Sequence, residues 1–599
     1  MKSKKTKLRS RIIDYFSRPW DDNNLEYQVQ SPNKPPSVSL FLLKLRTAFS
    51  KTCEKSRVAN FIDYLYYGFL SCPLSVIAVF MAVFAVSSFA LGFLLSSSKA
   101  YYLTDTTTLY CIFVFAISIL FMPVKRDIAF LLSQSRLLSE FEFSYDKIVL
   151  TTSKKSFNFY NNYSTAFFLG ILTGILSVII SPAKAMWFVL ALLLCILIIN
   201  RPECGVLLSF FFLPFIDTAL LNLLIIYTSI SLVYKYLRGK RHVSLGADEV
   251  LLSLCVLVFL LSGLFNISKT PAYNEMLGLI VAVLAFIAVK NLIKSISLFN
   301  NSVRLISESS FMVSVISVLI YITQLLLNFN LITSLYETEA FLVLYTFFSN
   351  HSFIPVFITC TMPLNFALAL GLDKKSKRFK YLFMLLVQLV CIMIYANPTL
   401  ILAATFSCVI VLTFKKVKCA LFLPFTPLAT ILLHRISTLL PDSLMVFAQK
   451  TGFELSSETA SKIINEHSIF GIGLGADSLN AATSAHATVS FNAYLHPQTT
   501  LIDSIIRFGI PCFIFILAVV LFFIIKNIRI ALSLRNINKL CDSSAAGLIA
   551  CSCGIVILSA DIFFTSNTVA VFFAVICALC VSMEKCIKSD YIDNNRIRF

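Results

Sequence analysis

An all-α polytopic membrane protein is the fold class this sequence predicts, and three observations carry that reading. Apolar runs of roughly 17–25 residues, enough to cross about 30 Å of hydrocarbon as helices, follow one another along most of the chain. Of the 599 residues, 58% are hydrophobic and only 14% charged, and the mean hydropathy is +0.83, which excludes ordinary soluble composition. The net charge of +19 comes from Lys and Arg bunched between the apolar runs. That pattern fixes membrane topology and implies lipid rather than nucleic acid as the partner.

Residues 1–62 form a basic cytoplasmic segment containing Lys2, Lys4, Lys5, Lys7, Arg9, Arg11 and Arg18, a Pro-containing polar stretch, and a surface helix near 40–48. The first long apolar run begins only near Ser71, so the reading is a retained anchor rather than a cleaved signal. Crossings are expected near 70–96, 108–124, 165–182, 184–200, 249–265, 276–293, 309–328, 351–371, 381–396, 398–414, 419–436, 507–526, 545–562 and 567–583. Between them, Cys204 to Val233 is interrupted by Pro214 and Asp217. Arg201 before it and Lys235, Arg238, Lys240 and Arg241 after it both read as cytoplasmic, so an even number of crossings, a hairpin turning near Asp217, fits.

With that pair, about 14–16 transmembrane helices are expected, and one orientation accounts for every Lys/Arg cluster. Lys125/Arg126, Lys290/Lys294, Lys374 to Lys380, Lys415/Lys416/Lys418, Lys526/Arg529 and Lys585/Lys588 all fall inside, with both termini. The domain reading is 63–164 as an extra hairpin with a basic interfacial segment from Lys125 to Tyr163, 165–585 as the main membrane domain, and 586–599 as a cytoplasmic tail. The seventeen cysteines lie mostly in apolar runs without zinc spacing and read as small packing residues. No inverted repeat of the transporter kind is evident.

The same orientation puts the longest polar interruption, 434–505, outside as an extracytoplasmic loop subdomain. It starts with His434 and Arg435, continues through an amphipathic helix in SSETASKIINEHSIF, turns at Gly471, Gly473 and Gly475, and returns through His496. GIGLG reads as a tight turn, because the strand before and helix after that a dinucleotide fingerprint needs are not expected. His496, ahead of Pro497, can accept a proton from a sugar hydroxyl; the plainer reading is an interfacial histidine. Asp503 and Arg507, four apart on a helix, share a face and serve either as an ion pair or in binding a diphosphate. Asp217 and Asp561 read as interface caps.

HSIFGIGLG followed by AYLHPQTTLIDSIIRFGIPCFIFIL resembles the carboxy-terminal signature of the O-antigen ligase and O-antigen polymerase family, a "hPlfGiGlG" turn followed by "HN-x-YLQ…E-x-Gi-G". NHSFIPVFITCTMPLNFALAL and NRPECGVLLSFFFLPF resemble two earlier helices of that family. The resemblance covers about 165–585. It implies a helical glycosyltransferase that moves glycan from an undecaprenyl-diphosphate-linked donor to a sugar hydroxyl of an acceptor glycan or glycolipid. Transfer would occur on the outer face of a bacterial cytoplasmic membrane, with inversion and without metal or cofactor. Such chemistry needs an apolar groove, cations for the departing diphosphate and one base.

This chain departs from the pattern at four places. A family arginine falls on Phe453, another has no counterpart in YANPTLILAAT, the histidine of "HN" falls on Gln498, and the glutamate before the glycine is Arg507. Arg435, Lys450, Lys462 and Arg507 are the cations available to replace the arginines, Asp503 and Gln498 are further substrate contacts, and His496 is the candidate base. Two other readings stay open: a glycolipid transporter or flippase, and a non-catalytic partner of a polysaccharide export complex.

Overall fold

The structure is a computed structural model. It describes residues 56–70, 72–96, 105–126, 128, 163–238, 243, 246–262, 273–328, 353–395, 397–437, 453–454, 457–473, 476–486, 495–496, 500–533, 539–559 and 567–596. Most of the basic amino-terminal segment, most of the 125–163 segment, the chain end, Lys450 and Gln498 lie outside the described residues. What is described is almost entirely helical. Among the described residues, nine helices are long and apolar enough to cross a membrane, ten if a bent pair counts as one span. Shorter apolar helices, among them Met276–Leu292 and Thr568–Met583, occupy several of the other expected crossings.

The described residues fall into two compact units. One holds those of Pro36–Cys204 and Ser231–Arg241; the other holds those of Gly205–Ile230 and His242–Phe599. The first unit includes the helices between residues 163 and 200. The reason is close helix packing: Gly170 and Gly174 let one helix approach another, where an added Cβ would come within 2.9 Å of Val83 and 2.0 Å of Ser87.

In the first unit, α1 (Arg57–Leu70) precedes the antiparallel pair α2 (Leu74–Ser96) and α3 (Asp105–Phe121), then α4 (Tyr163–Ile180) and α5 (Pro182–Asn200). The base of the α2–α3 pair is closed by backbone bonds from Leu74 N to Arg126 O at 3.1 Å and Ser75 N to Val124 O at 3.0 Å. Lys125 and Arg126 therefore lie level with the start of α2. Ser177 donates to Ser88 at 2.9 Å, and Ser87 to the Gly170 carbonyl at 3.3 Å, so α4 is bonded to α2 through hydroxyls.

The chain then runs through α6 (Pro202–Phe212), a turn at 213–217, and α7 (Thr218–Leu237). Ser231 donates to the carbonyls of Ile198 at 2.7 Å and Ile199 at 3.1 Å, and Lys235 Nζ to Asn200 Oδ1 at 3.3 Å. The chain that leaves at Pro202 thus returns by Ser231 to the level it left, which is the hairpin expected from charge counting. Its outgoing arm is short: α6 has 11 residues, about 16 Å, and the 213–217 turn supplies the rest of the excursion.

The second unit continues with α8 (Ala247–Ser262), α9 (Tyr273–Leu292), α10 (Ile296–Asn328), α11 (Phe353–Gly371), α12 (Lys375–Tyr395) and α13 (Pro398–Lys415). A 3-10 helix (Val417–Phe425) leads into α14 (Thr426–Ser437). The expected crossing at 419–436 begins as this tighter helix because Pro424 inside it has no N–H to donate. After α14 come β1 (Phe453–Glu454), α15 (Ser457–Glu466), α16 (Ala476–His486), β2 (Leu495–His496), α17 (Thr500–Ser533), α18 (Lys539–Ser559) and α19 (Asn567–Arg596).

The core of this unit is partly polar. Asn365 of α11 is joined to Ser307 of α10 and donates to Gln388 Oε1 of α12 at 2.9 Å; Gln388 Nε2 donates to Ser310 at 2.6 Å, and Ser310 is joined to Thr361. All five side chains are buried. The hydroxyl-rich face makes α10 begin at Ile296, well before the apolar run expected from 309.

Two groups of charges join helices within the unit. Lys290 of α9 reaches Glu249 at 2.6 Å and Asp248 at 3.3 Å, and Lys526 of α17 also binds Asp248. Lys380 of α12 and Arg304 of α10 share Glu308, each at 2.8 Å. Lys290 and Lys526, read from sequence as lying on one membrane side, meet at one carboxylate.

Candidate functional site

α15 carries its apolar residues Ala460, Ile463 and Ile464 on one face. They pack with Ile472, Leu479 and Ala482 against Ile502 and Ile506 of α17, forming a small core of their own. Between α15 and α16 the chain turns through residues 467–473, with Gly471 N bonded to His467 O at 2.9 Å. Gly471 has φ 68° and Gly473 φ 89°, the left-handed region that the sequence assigned to glycine. A helix, α16, does follow GIGLG, contrary to the sequence reading; what precedes the turn is α15 rather than a strand, so the dinucleotide arrangement is still not formed.

The turn docks on a break in α17. Gly509 has φ 78° and ψ 168°, and Pro511 follows. In an unbroken helix the Arg507 carbonyl would accept from residue 511, which as proline has no N–H, and the Ile506 carbonyl from Ile510. Here Ile472 N donates to Ile506 O at 2.9 Å, Gly473 N to Arg507 O at 3.0 Å, and Ile510 N to Ser468 O at 2.8 Å. The turn thus satisfies the backbone groups that the break releases. Contact is so close that a Cβ on Gly471 would lie 2.3 Å from the Arg507 oxygen, and one on Gly509 2.3 Å from the Ile469 oxygen.

β1 and β2 make a second junction. They pair in parallel, Phe453 opposite Leu495 and Glu454 opposite His496. His496 is therefore extended, as Pro497 predicted, and its backbone neighbours the stretch holding Phe453.

The predicted site residues divide as follows. Arg507 is buried at the junction, and its carbonyl accepts from Gly473. Asp503 lies four residues earlier on the helical piece ahead of Gly509, where the spacing puts it on the Arg507 face; its side chain lies outside the described residues. Lys462 is on the exposed side of α15, 2.8 Å from Glu458, whose carboxyl it holds below its ordinary value by hydrogen bond and charge. Arg435 is exposed in the last turn of α14. The His496 side chain, like Lys450 and Gln498, lies outside the described residues. Sequence reasoning missed Gly509, although a glycine two residues before a proline in an apolar helix is the usual signal of a break.

Among the described residues no group of three or more His, Cys, Asp or Glu side chains is placed to hold a metal ion. Fold and site together define a helical, multi-pass membrane protein with a small packed element docked on a broken helix. Compared with models of known protein families and with curated proteins, the chain matches none.

Proposed function

We propose that this chain transfers or polymerises glycan from an undecaprenyl-diphosphate-linked donor onto a sugar hydroxyl at the outer face of a bacterial cytoplasmic membrane, in surface polysaccharide assembly. One observation carries the reading: the two halves of the sequence signature, HSIFGIGLG and IIRFGIP, are joined atom to atom through Gly471, Gly473, Arg507 and Gly509. The β1–β2 pairing supports it further, because it sets the Phe453 stretch beside the His496 stretch, as a shared site requires.

In this mechanism His496 takes the proton of the acceptor hydroxyl as the oxygen attacks the anomeric carbon from the face opposite the diphosphate, which gives inversion. Arg507, with Arg435, Lys450 and Lys462, stabilises the charge developing on the departing diphosphate. Asp503 and Gln498 orient the sugars. The complete expected set of 14–16 crossings, both termini in the cytoplasm and the 434–505 loop outside belong to this proposal.

The test is transfer by the full chain reconstituted with a polyprenyl-diphosphate-linked glycan and an acceptor. His496→Ala is expected to lower the rate by about 10²–10⁴, and Arg507→Ala by about 10²–10³. Full activity in His496→Ala would remove that residue from the chemistry. Phe453 and Gln498, standing where the family has arginine and histidine, favour a second reading as a non-catalytic partner of an export complex. It is the outcome if the wild-type chain transfers nothing and Gln498→His restores nothing.

A further inference from the structure

α1 is held at the end of the first unit by polar residues on one of its faces. Asp63 receives both guanidinium nitrogens of Arg238, at 3.1 and 3.0 Å, and the Tyr66 hydroxyl receives Arg201 Nε at 3.4 Å. Arg201 directly follows α5, and Arg238 directly follows α7; both helices are of membrane-spanning length and composition. α1 therefore lies at the level where two membrane helices end.

Two aromatic residues of α1 are exposed away from that face. Phe61 is 58% exposed and lies about 140–160° round the helix from the anchoring pair; Tyr64, 38% exposed, lies one turn further on and about 100–160° from it. The backbone bonds from Leu74 and Ser75 to Arg126 and Val124 bring exposed Lys125 and Arg126 to the start of α2, four residues beyond the end of α1. In sequence, Lys51, Lys55 and Arg57 lead into the helix. Exposed aromatic residues at the end of membrane helices, with the cations Lys125 and Arg126 beside them, match the boundary between acyl chains and acidic headgroups.

We infer that α1 lies in the plane of the membrane surface and, with Lys125 and Arg126, docks on anionic phospholipid headgroups. Aromatic rings enter the acyl boundary, the cations bind headgroup phosphates, and the Asp63–Arg238 and Tyr66–Arg201 bonds tie the docked helix to the transmembrane bundle. This inference does not depend on the proposed glycan transfer.

The full chain carrying Phe61→Trp, with Trp20 and Trp187 changed to Phe, would be reconstituted in phosphatidylcholine–phosphatidylglycerol vesicles. Its emission should be quenched by lipid brominated high on the acyl chain more than by lipid brominated near the chain end. Energy transfer to labelled phosphatidylglycerol should exceed transfer to labelled phosphatidylcholine. Removing Lys125 and Arg126 as Gln should reduce that preference by about fivefold per charge, the equivalent of about 1 kcal/mol each. If Phe61→Trp does not fold, Tyr64→Trp reads the same face. Quenching by aqueous iodide with none by brominated lipid would overturn the in-plane placement, and equal transfer to both labelled lipids would overturn the headgroup specificity.

Discussion

Gly471 and Gly509 face each other across a backbone contact that leaves no room for a methyl group, and both have positive φ. Alanine at either position has two costs: about 1–3 kcal/mol for the left-handed backbone, and the displacement of a carbonyl that is already hydrogen-bonded or packed. Gly471→Ala and Gly509→Ala are each expected to open the junction, seen as rapid protease cleavage between residues 457 and 510. Pro511→Ala should leave it closed, because the Arg507 carbonyl already accepts from Gly473. Equal protection in all three variants would show that the junction does not depend on these glycines. The turn was legible in HSIFGIGLG because positive φ selects glycine. Its partner was not, since nothing local to residues 468–473 specifies which distant carbonyls need donors.

At the scale of elements, helices were legible wherever one face meets lipid, because about 20 apolar residues are then required. Legibility failed where polarity is buried instead. The early turns of α10 hide Ser302, Ser307 and Ser310 against neighbouring helices, so hydropathy places its start too late. The α8–α9–α17 charge junction is likewise invisible to a reading that sorts charges by side alone. Burial by itself would raise the Asp248 carboxyl, but Lys526 and Lys290 outweigh burial and hold the group below its ordinary value. A carboxyl depressed by folding contributes stability that is complete above its ordinary pKa and is lost as pH falls through the lower, folded value. The thermal midpoint of the purified protein should therefore fall as pH drops below the carboxylate range. Asp248→Asn, which leaves two ammonium groups against Glu249 alone, should lose on the order of 3 kcal/mol near neutral pH and respond less to acid. An unchanged midpoint in Asp248→Asn would exclude the junction as a support of the bundle.

For the whole molecule, α17 ties the charge junction to the docked turn, since it carries both Lys526 and Gly509. Lys526 follows Pro511 by fifteen residues, and the helix bends by 48° between Phe515 and Leu517, so the docked turn and the charge junction lie on the two limbs of one bent helix. Alkaline phosphatase fused at Ser484 should be active and the same fusion at Lys377 inactive; the reverse pattern would place the glycine turn in the cytoplasm and remove the proposed site with it. The docked turn also bears on how the chain is made. Synthesis runs from amino to carboxyl end, so Ile472 and Gly473 leave the ribosome before Ile506 and Arg507. By the time the interrupted helix is made, the donors for its two released carbonyls are already in the chain. A circular permutant that began at α17 would have to make those carbonyls without their donors and hold them unmatched until its last segment arrived.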